Sequence, residues 1–370
     1  MAICQVLTFR LQSGKLLHNF GFTLGQIHSL QGEYVKMGRI GTHNGEFHCD
    51  EALACFFLKS LPEFRNHEIL RTRDSEVLDK CDIVVDVGSV YDHDKLRYDH
   101  HQRDFVMTMK ALNLLDYTTK LSSAGLIYAH YGRKVIAALL QLDSDDPRID
   151  QLYRSMYESF VECVDAIDNG IPQCDCIPRY KLNGTLSSRV SHLNPAWNEK
   201  DANPDERFLE AMKMVGEEFM SALNYLLKSW LPAKNIVLKA INERFEVFLF
   251  KQYILHFIGK IIVLRDSYCP WIQHLFELEK ELGITGITYA IFPDRTSESW
   301  RVRAVPVDKN KMFENRLSLP VEWRSLRDNE LSEVAKIRDC IFVHSSGFIG
   351  GNRSLQGALE MARKSLRSSN

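Results

Sequence analysis

No run of about 18 uninterrupted apolar residues, the length that spans a bilayer as a helix, occurs in this 370-residue chain. The most apolar stretch, residues 245 to 264, is broken by Lys251, His256 and Lys260, so no membrane partner is expected. A disulfide framework is missing too. Nine cysteines, an odd number, are scattered from Cys4 to Cys340 without regular spacing, which points to free thiols in a reducing compartment. Cys174 and Cys176 lack a second pair at zinc spacing. Charge of one sign is also scarce: the net charge is −2, so the chain has no overall basic field for nucleic acid. Acids are absent from the first 32 residues, which hold Arg10, Lys15, Ser13 and Ser29 among apolar side chains. This resembles a weak mitochondrial transit segment, and a disordered N-terminus is the alternative.

What is present is ordinary globular composition, 45% hydrophobic and 25% charged, in a length that suggests about two domains. The charges divide unevenly. Residues 247 to 370 hold 18 lysines and arginines against 14 acids, whereas residues 1 to 246 hold 28 against 34. An acidic part suited to cations therefore precedes a mildly basic part suited to phosphates.

Regular patterning begins near Gly38. "RIGTHN", "HEILRTR" and "CDIVVDVG" read as strands, with helix-spaced "CDEALACFFLKSL" and "SEVLDK" between them. "IVVDVG" is β-branched and apolar, as a buried parallel strand should be, and would deliver Asp86 to its carboxyl end. Helical spacing then runs through "SSAGLIYAHYGRKVIAALL" and from Ile149 to Ile167, where Asp165 and Asp168 lie three apart and can share a face. Residues 179 to 199 read as a long polar loop, and a helix from Asp205 should end before Pro232. "GKIIVLRD", "GITYAIFPD", "SWRVRAVPV" and "CIFVHSSGF" read as a second set of strands, and the last helix follows a glycine turn in "GFIGGN". The expected fold is α/β, with two α/β domains joined by a helical connector. Residues 1–37 form an N-terminal extension, 38–244 the first domain with the connector, and 245–370 a smaller second domain.

Four separated clusters carry the chemistry: His43, His48 and Asp50 in "THNGEFHCDE"; Asp86; Asp99, His100 and His101 in "YDHHQRDF"; and Asp165 and Asp168 in "DAIDNG". Each lies near the end of an expected strand or helix, where open α/β sheets build their sites. Carboxylate and imidazole together suit borderline-hard divalent ions such as Mn²⁺. Two such ions sharing a carboxylate can activate water and hold a phosphoryl group. In the second half, Gly350 and Gly351 would let backbone N–H groups approach a phosphate, or form a plain strand-to-helix turn. His344, Arg353, Arg301 and Arg303 could add charge there.

The order of these motifs resembles the DHH phosphoesterase superfamily, and more closely its melanocyte proliferating gene branch of exonucleases. "THNGEFHCDEALA", "YDHHQRDF", "SSAGLIY", "VDAIDNGI", "LSSRVSHLNPAWN" and "FVHSSGFIGGN" carry the likeness over residues 38 to 368. The resemblance implies a DHH-type parallel-sheet domain followed by a DHH-associated substrate-binding domain. It implies metal ligands at His43, His48, Asp50, Asp86 and His100, with Asp86 bridging two Mn²⁺ or Mg²⁺ ions. Asp168 or Asp165 would be the last ligand. His48 departs from the superfamily, which usually has Asp there. Asp99 would orient its neighbours, His101 would serve as phosphate donor or proton source, and Arg189 would contact substrate. The implied activity is 3′ to 5′ exonuclease action on single-stranded RNA in mitochondrion and nucleus. The alternatives are a hydrolase of small phosphates (pyrophosphate, short oligonucleotides or cyclic dinucleotides) and a non-catalytic metal- or RNA-binding module.

Overall fold

The computed structural model describes residues 38–248, 259–265, 268–309, 311–312 and 314–368, so the transit-like segment lies outside the described residues. Strands and helices alternate to give a mixed α/β fold with two five-stranded sheets. The first has the order β2-β1-β3-β5-β4, built from β1 (Arg39–Thr42), β2 (Glu68–Arg71), β3 (Ile83–Val85), β4 (Tyr91–Asp92) and β5 (Arg97–Tyr98). β1, β2, β3 and β5 run parallel, and only the edge strand β4 is antiparallel.

From β1 the chain passes through α1 (Cys49–Ser60) to β2 on one side. It then returns through α2 (Ser75–Leu78) to β3 on the other. The carboxyl ends of β1 and β3 thus flank a switch point, the crevice where sheets of this kind bind ligands. Alternation along β3 fixes the faces. Ile83 and Val85 join Ile40 and Tyr98 in the main core, while Val84 meets Leu78 and Cys81 opposite. α1, α3 (Ser123–Leu140) and α7 (Pro204–Tyr225) supply the helical side of that core.

The helical stretch expected over 149–167 is widened in the middle, as α4 (Arg148–Met156), a π-helical turn (Tyr157–Val161) and α5 (Glu162–Asp168). α7 itself ends at Tyr225, but the helical run does not stop before Pro232, which corrects the sequence reading. A second π-helical turn (Leu226–Trp230) leads without a break into α8 (Leu231–Asn242), whose second residue is Pro232. The polar loop over 179–199 contains the short helix α6 (Leu186–Ser191), and its Trp197 is fully exposed.

The second sheet has the order β6-β7-β8-β10-β9, from β6 (Ile261–Val263), β7 (Tyr289–Pro293), β8 (Trp300–Ala304), β9 (Cys340–Val343) and β10 (Ile349–Asn352). Only β6 and β7 are parallel; the other pairs are antiparallel. Tyr289, Ile291 and Val302 face α10 (Asp328–Ala335) and α11 (Leu355–Arg367). Ala290 and Phe292 face α8 and α9 (Trp271–Leu282). The expected glycine turn is also corrected here. Gly347, with φ +71°, makes the turn, whereas Gly350 and Gly351 lie inside β10. A side chain on Gly350 would press on Met361 and Leu319, and one on Gly351 on Arg301 and Phe342. Close packing accounts for both glycines.

Candidate metal centre

Three parallel strands end at one place. His43 follows β1, Asp86 follows β3, and Asp99 with His100 follow β5. Asp86 adopts φ +56°, a left-handed conformation that costs a non-glycine residue about 1 kcal/mol or more. That strained turn brings its buried carboxylate among three histidines. His43 Nε2 is 3.4 Å from Oδ2, while His101 Nδ1 and His100 Nε2 are 3.3 and 3.6 Å from Oδ1.

The second ring of contacts fixes which nitrogen of each histidine is free. Asn169 Nδ2 donates to the carbonyls of Lys120 and Asp165, so its Oδ1 is the acceptor that faces His100 Nδ1 at 3.2 Å. His100 Nδ1 therefore carries the proton. In the same way His43 Nδ1 donates to the Asn44 carbonyl at 3.2 Å. Both Nε2 atoms are left to face carboxylates: His43 lies 3.0 Å from Glu51, and His100 lies 2.9 Å from Asp168 and 4.0 Å from Asp50. His100 Nε2 is buried yet has no partner with hydrogen-bond geometry.

Asp50 is held by the start of α3. Ser122 Oγ and the Ala124 N–H donate to its Oδ1, and the Ser123 N–H donates to its Oδ2. A helix N-terminus favours such a carboxylate. Asp165, fully buried, accepts from the Ser122 N–H and from the Tyr157 hydroxyl and lies 2.8 Å from Ser122 Oγ. It supports the clamp and stands outside the ligand-spaced groups. Asp99 accepts the N–H groups of Ser89 and His101 and meets His101 Nδ1 at 2.9 Å, an orienting role.

Proton affinities follow this crowding. Burial opposes charge on His43, but hydrogen bonds to Asp86 and Glu51 push it up to about 10. His100 is likewise pushed up to about 11 by Asp168 and Asp86 against the effect of burial. Asp86 and Asp99 raise His101 to about 10. Burial, together with Asp168 and Asp86 nearby, raises Asp50 well above the usual carboxylate range, while the three histidines outweigh burial and hold Asp86 well below it. Three sets of ligand atoms lie within 4.8 Å of one another: His43, His48 and Glu51; Asp86, His100 and His101; Asp50, His100 and Asp168. His43, His48, Asp50, Asp86, His101 and Asp168 line a cleft of about 490 Å³, with Arg73 on its wall. A donor set of imidazoles and carboxylates, with one buried imidazole nitrogen lacking a partner, fits divalent cations.

A family model described as an uncharacterised protein family (UPF0160), MYG1 exonuclease, matches residues 39–366. The chain belongs to the MYG1 exonuclease family. A MYG1 protein of Caenorhabditis elegans is 53% identical over 329 residues, covering 88% of this chain and 94% of the nematode protein. Proteins named MYG1 exonuclease are 51% identical in Rattus norvegicus, with 89% of this chain and 84% of that one covered, and 50% identical in Homo sapiens, with 89% and 85% covered.

In this MYG1 family member, His43, His48, Asp50, Asp86, Asp99, His101 and Asp168 line one cleft, and His100 meets Asp50, Asp86 and Asp168. The remaining expected residues sit elsewhere. Arg189, on α6, pairs with Glu218 at 2.6 Å and is not in the cleft wall. His344 bonds Ser346 beside Phe348, and Arg353 is exposed after β10. Sequence reasoning missed Glu51, Ser122, Ser123, Asn169 and Arg73. Glu51 had a signal, since His48 and Glu51 form the reciprocal cap of α1. Asn169 had one too, as the residue directly after Asp168.

Proposed function

We propose that this chain is a metal-dependent phosphodiesterase of DHH type, a 3′ to 5′ exonuclease acting on single-stranded RNA. The observation that carries this reading is His100 Nε2, buried without a hydrogen-bond partner among Asp50, Asp86 and Asp168. His43, His48, Asp50, Asp86, His100 and Asp168 would hold two divalent cations, with Asp86 shared between them. Three imidazoles among the donors favour Mn²⁺ over Mg²⁺. When bound, the cations supply Lewis acidity to a phosphoryl oxygen and acidify water at neutral pH. The protein's own groups do the rest. Asp99 fixes the His101 ring through Nδ1, leaving Nε2 to donate to a phosphate or leaving oxygen. Arg73 stands on the cleft wall as a phosphate contact. We read the two sheets as a catalytic domain and a substrate-binding domain, and mitochondrion and nucleus as the compartments.

Purified protein incubated with a 5′-labelled single-stranded RNA in Mn²⁺, Mg²⁺ or EDTA should give a ladder shortening from the 3′ end only with metal. The Asp86→Ala protein should leave the RNA intact. The cleft volume, within the range of small-molecule pockets, favours hydrolysis of short phosphates as the second reading. Activity that falls steeply as the strand lengthens would replace the first reading with that one.

A further inference from the structure

A second cavity, of about 460 Å³, shares no lining residue with the metal cleft. Both π-helical turns among the described residues reach it, through Ser159 and Trp230. Such turns are rare and gather at functional sites. Among the described residues its walls contain no carboxylate and one charged side chain, Arg303. Arg301, two residues away on the same strand, is paired with Asp294 at 3.1 Å. Arg303 instead lies over the rings of Trp271 and Phe348, at 5.9 and 5.6 Å, with no ion pair among the described residues. Burial works against that charge and lowers its pKa.

Two further features point to an anion. α9 begins in this wall, and its first turn has no side-chain cap from Pro270, so its leading N–H groups are open to an acceptor. Trp271, only 1% exposed, has an indole Nε1 without a hydrogen-bond acceptor among the described residues. A buried donor left unpaired is costly. The lining also includes Tyr225, 53% exposed, a flat apolar surface at the end of α7. An unpaired guanidinium, an open helix N-terminus and an exposed aromatic ring together select a flat anionic molecule.

We propose that this pocket is a second nucleotide-binding site, taking a nucleoside monophosphate unit with its phosphate between Arg303 and the N-terminus of α9 and its base against Tyr225. The choice of a nucleotide among flat anions rests on the nucleic-acid reading of the metal centre; the anion site itself does not. The unit is either a free mononucleotide or a residue within a bound strand. The π-helical turn that carries Ser159 runs directly into α5, which bears Asp165 and Asp168, so occupancy has a short path to the metal cleft.

The test uses the full chain in EDTA, titrated with adenosine monophosphate, inorganic phosphate or a short single-stranded RNA, with tryptophan fluorescence and calorimetry as readouts. Adenosine monophosphate should bind the wild type and Asp86→Ala alike. It should bind Arg303→Gln roughly tenfold or more weakly, with part of the loss recovered in Arg303→Lys, which also checks folding. RNA that competes with the mononucleotide assigns the site to a residue of the strand; RNA that does not compete assigns it to the free nucleotide. Equal affinity in wild type and Arg303→Gln, no saturable binding, binding lost in Asp86→Ala, or phosphate bound as tightly as the nucleotide would each overturn the proposal. The RNA ladder with metal reads the catalytic hypothesis separately, so either can fail alone.

Discussion

Asn169 does for His100 what a second ring of hydrogen bonds does at many metal sites: it holds one ring nitrogen so that the other points at the ion. Asn169→Ala should lower apparent cation affinity or activity by about 10- to 100-fold with little change in the far-ultraviolet circular dichroism; calorimetric titration with Mn²⁺ measures it. The histidines set the pH response. His43, His100 and His101 are raised to about 10, 11 and 10, above an unfolded value near 6.5. Their contribution without metal is therefore complete below about pH 6.5 and lost as the pH climbs through 10 to 11. A cation must displace those protons, so the gain in melting temperature on adding Mn²⁺ should grow from pH 6.5 to 9. A gain that shrinks over that range would exclude ligation by His43 and His100. Asp86 and Asp168 were legible in the sequence because each ends an apolar or helix-spaced run, and His100 because it stands in an Asp-His-His triplet. Glu51 and Ser122 were not, because their roles depend on which loop lies opposite.

The opening of α3 is the element on which the cleft depends. Its backbone N–H groups hold Asp50, and Gly125 in its first turn leaves room for Asp165, whose carboxylate a methyl group there would strike. Gly125→Ala should destabilise the fold by about 1 to 3 kcal/mol, read from the urea midpoint, and should weaken Mn²⁺ binding as well. Serine caps and helical spacing announced α3 in the sequence. They did not announce its partner, since a cap shows only that a helix begins. Likewise the short apolar runs of the second sheet marked strands but carried no direction. Their antiparallel pairing comes from tight returns such as the one at Gly347. The two-residue strands β4 and β5 are too short to register as periodicity at all.

Across the molecule, the acidic clusters come together only through the strand order β2-β1-β3-β5-β4. Alternating strands and helices implied a parallel sheet, but strand order is decided by packing of α1 and α3 on one face. Because the ligands converge only in the folded chain, Mn²⁺ at a hundredfold excess over its dissociation constant should add about 2.7 kcal/mol of stability per site. EDTA should reverse the gain, and unchanged urea curves would count against a site formed by folding. Newly made chains would meet the same requirement. Until β5 has taken its place beside β3, His100 is not near Asp86, so a fragment ending before that strand would lack both ligand-spaced groups that include His100. Metal occupancy would then act as an inspection stamp, carried by finished molecules and missing from unfinished ones.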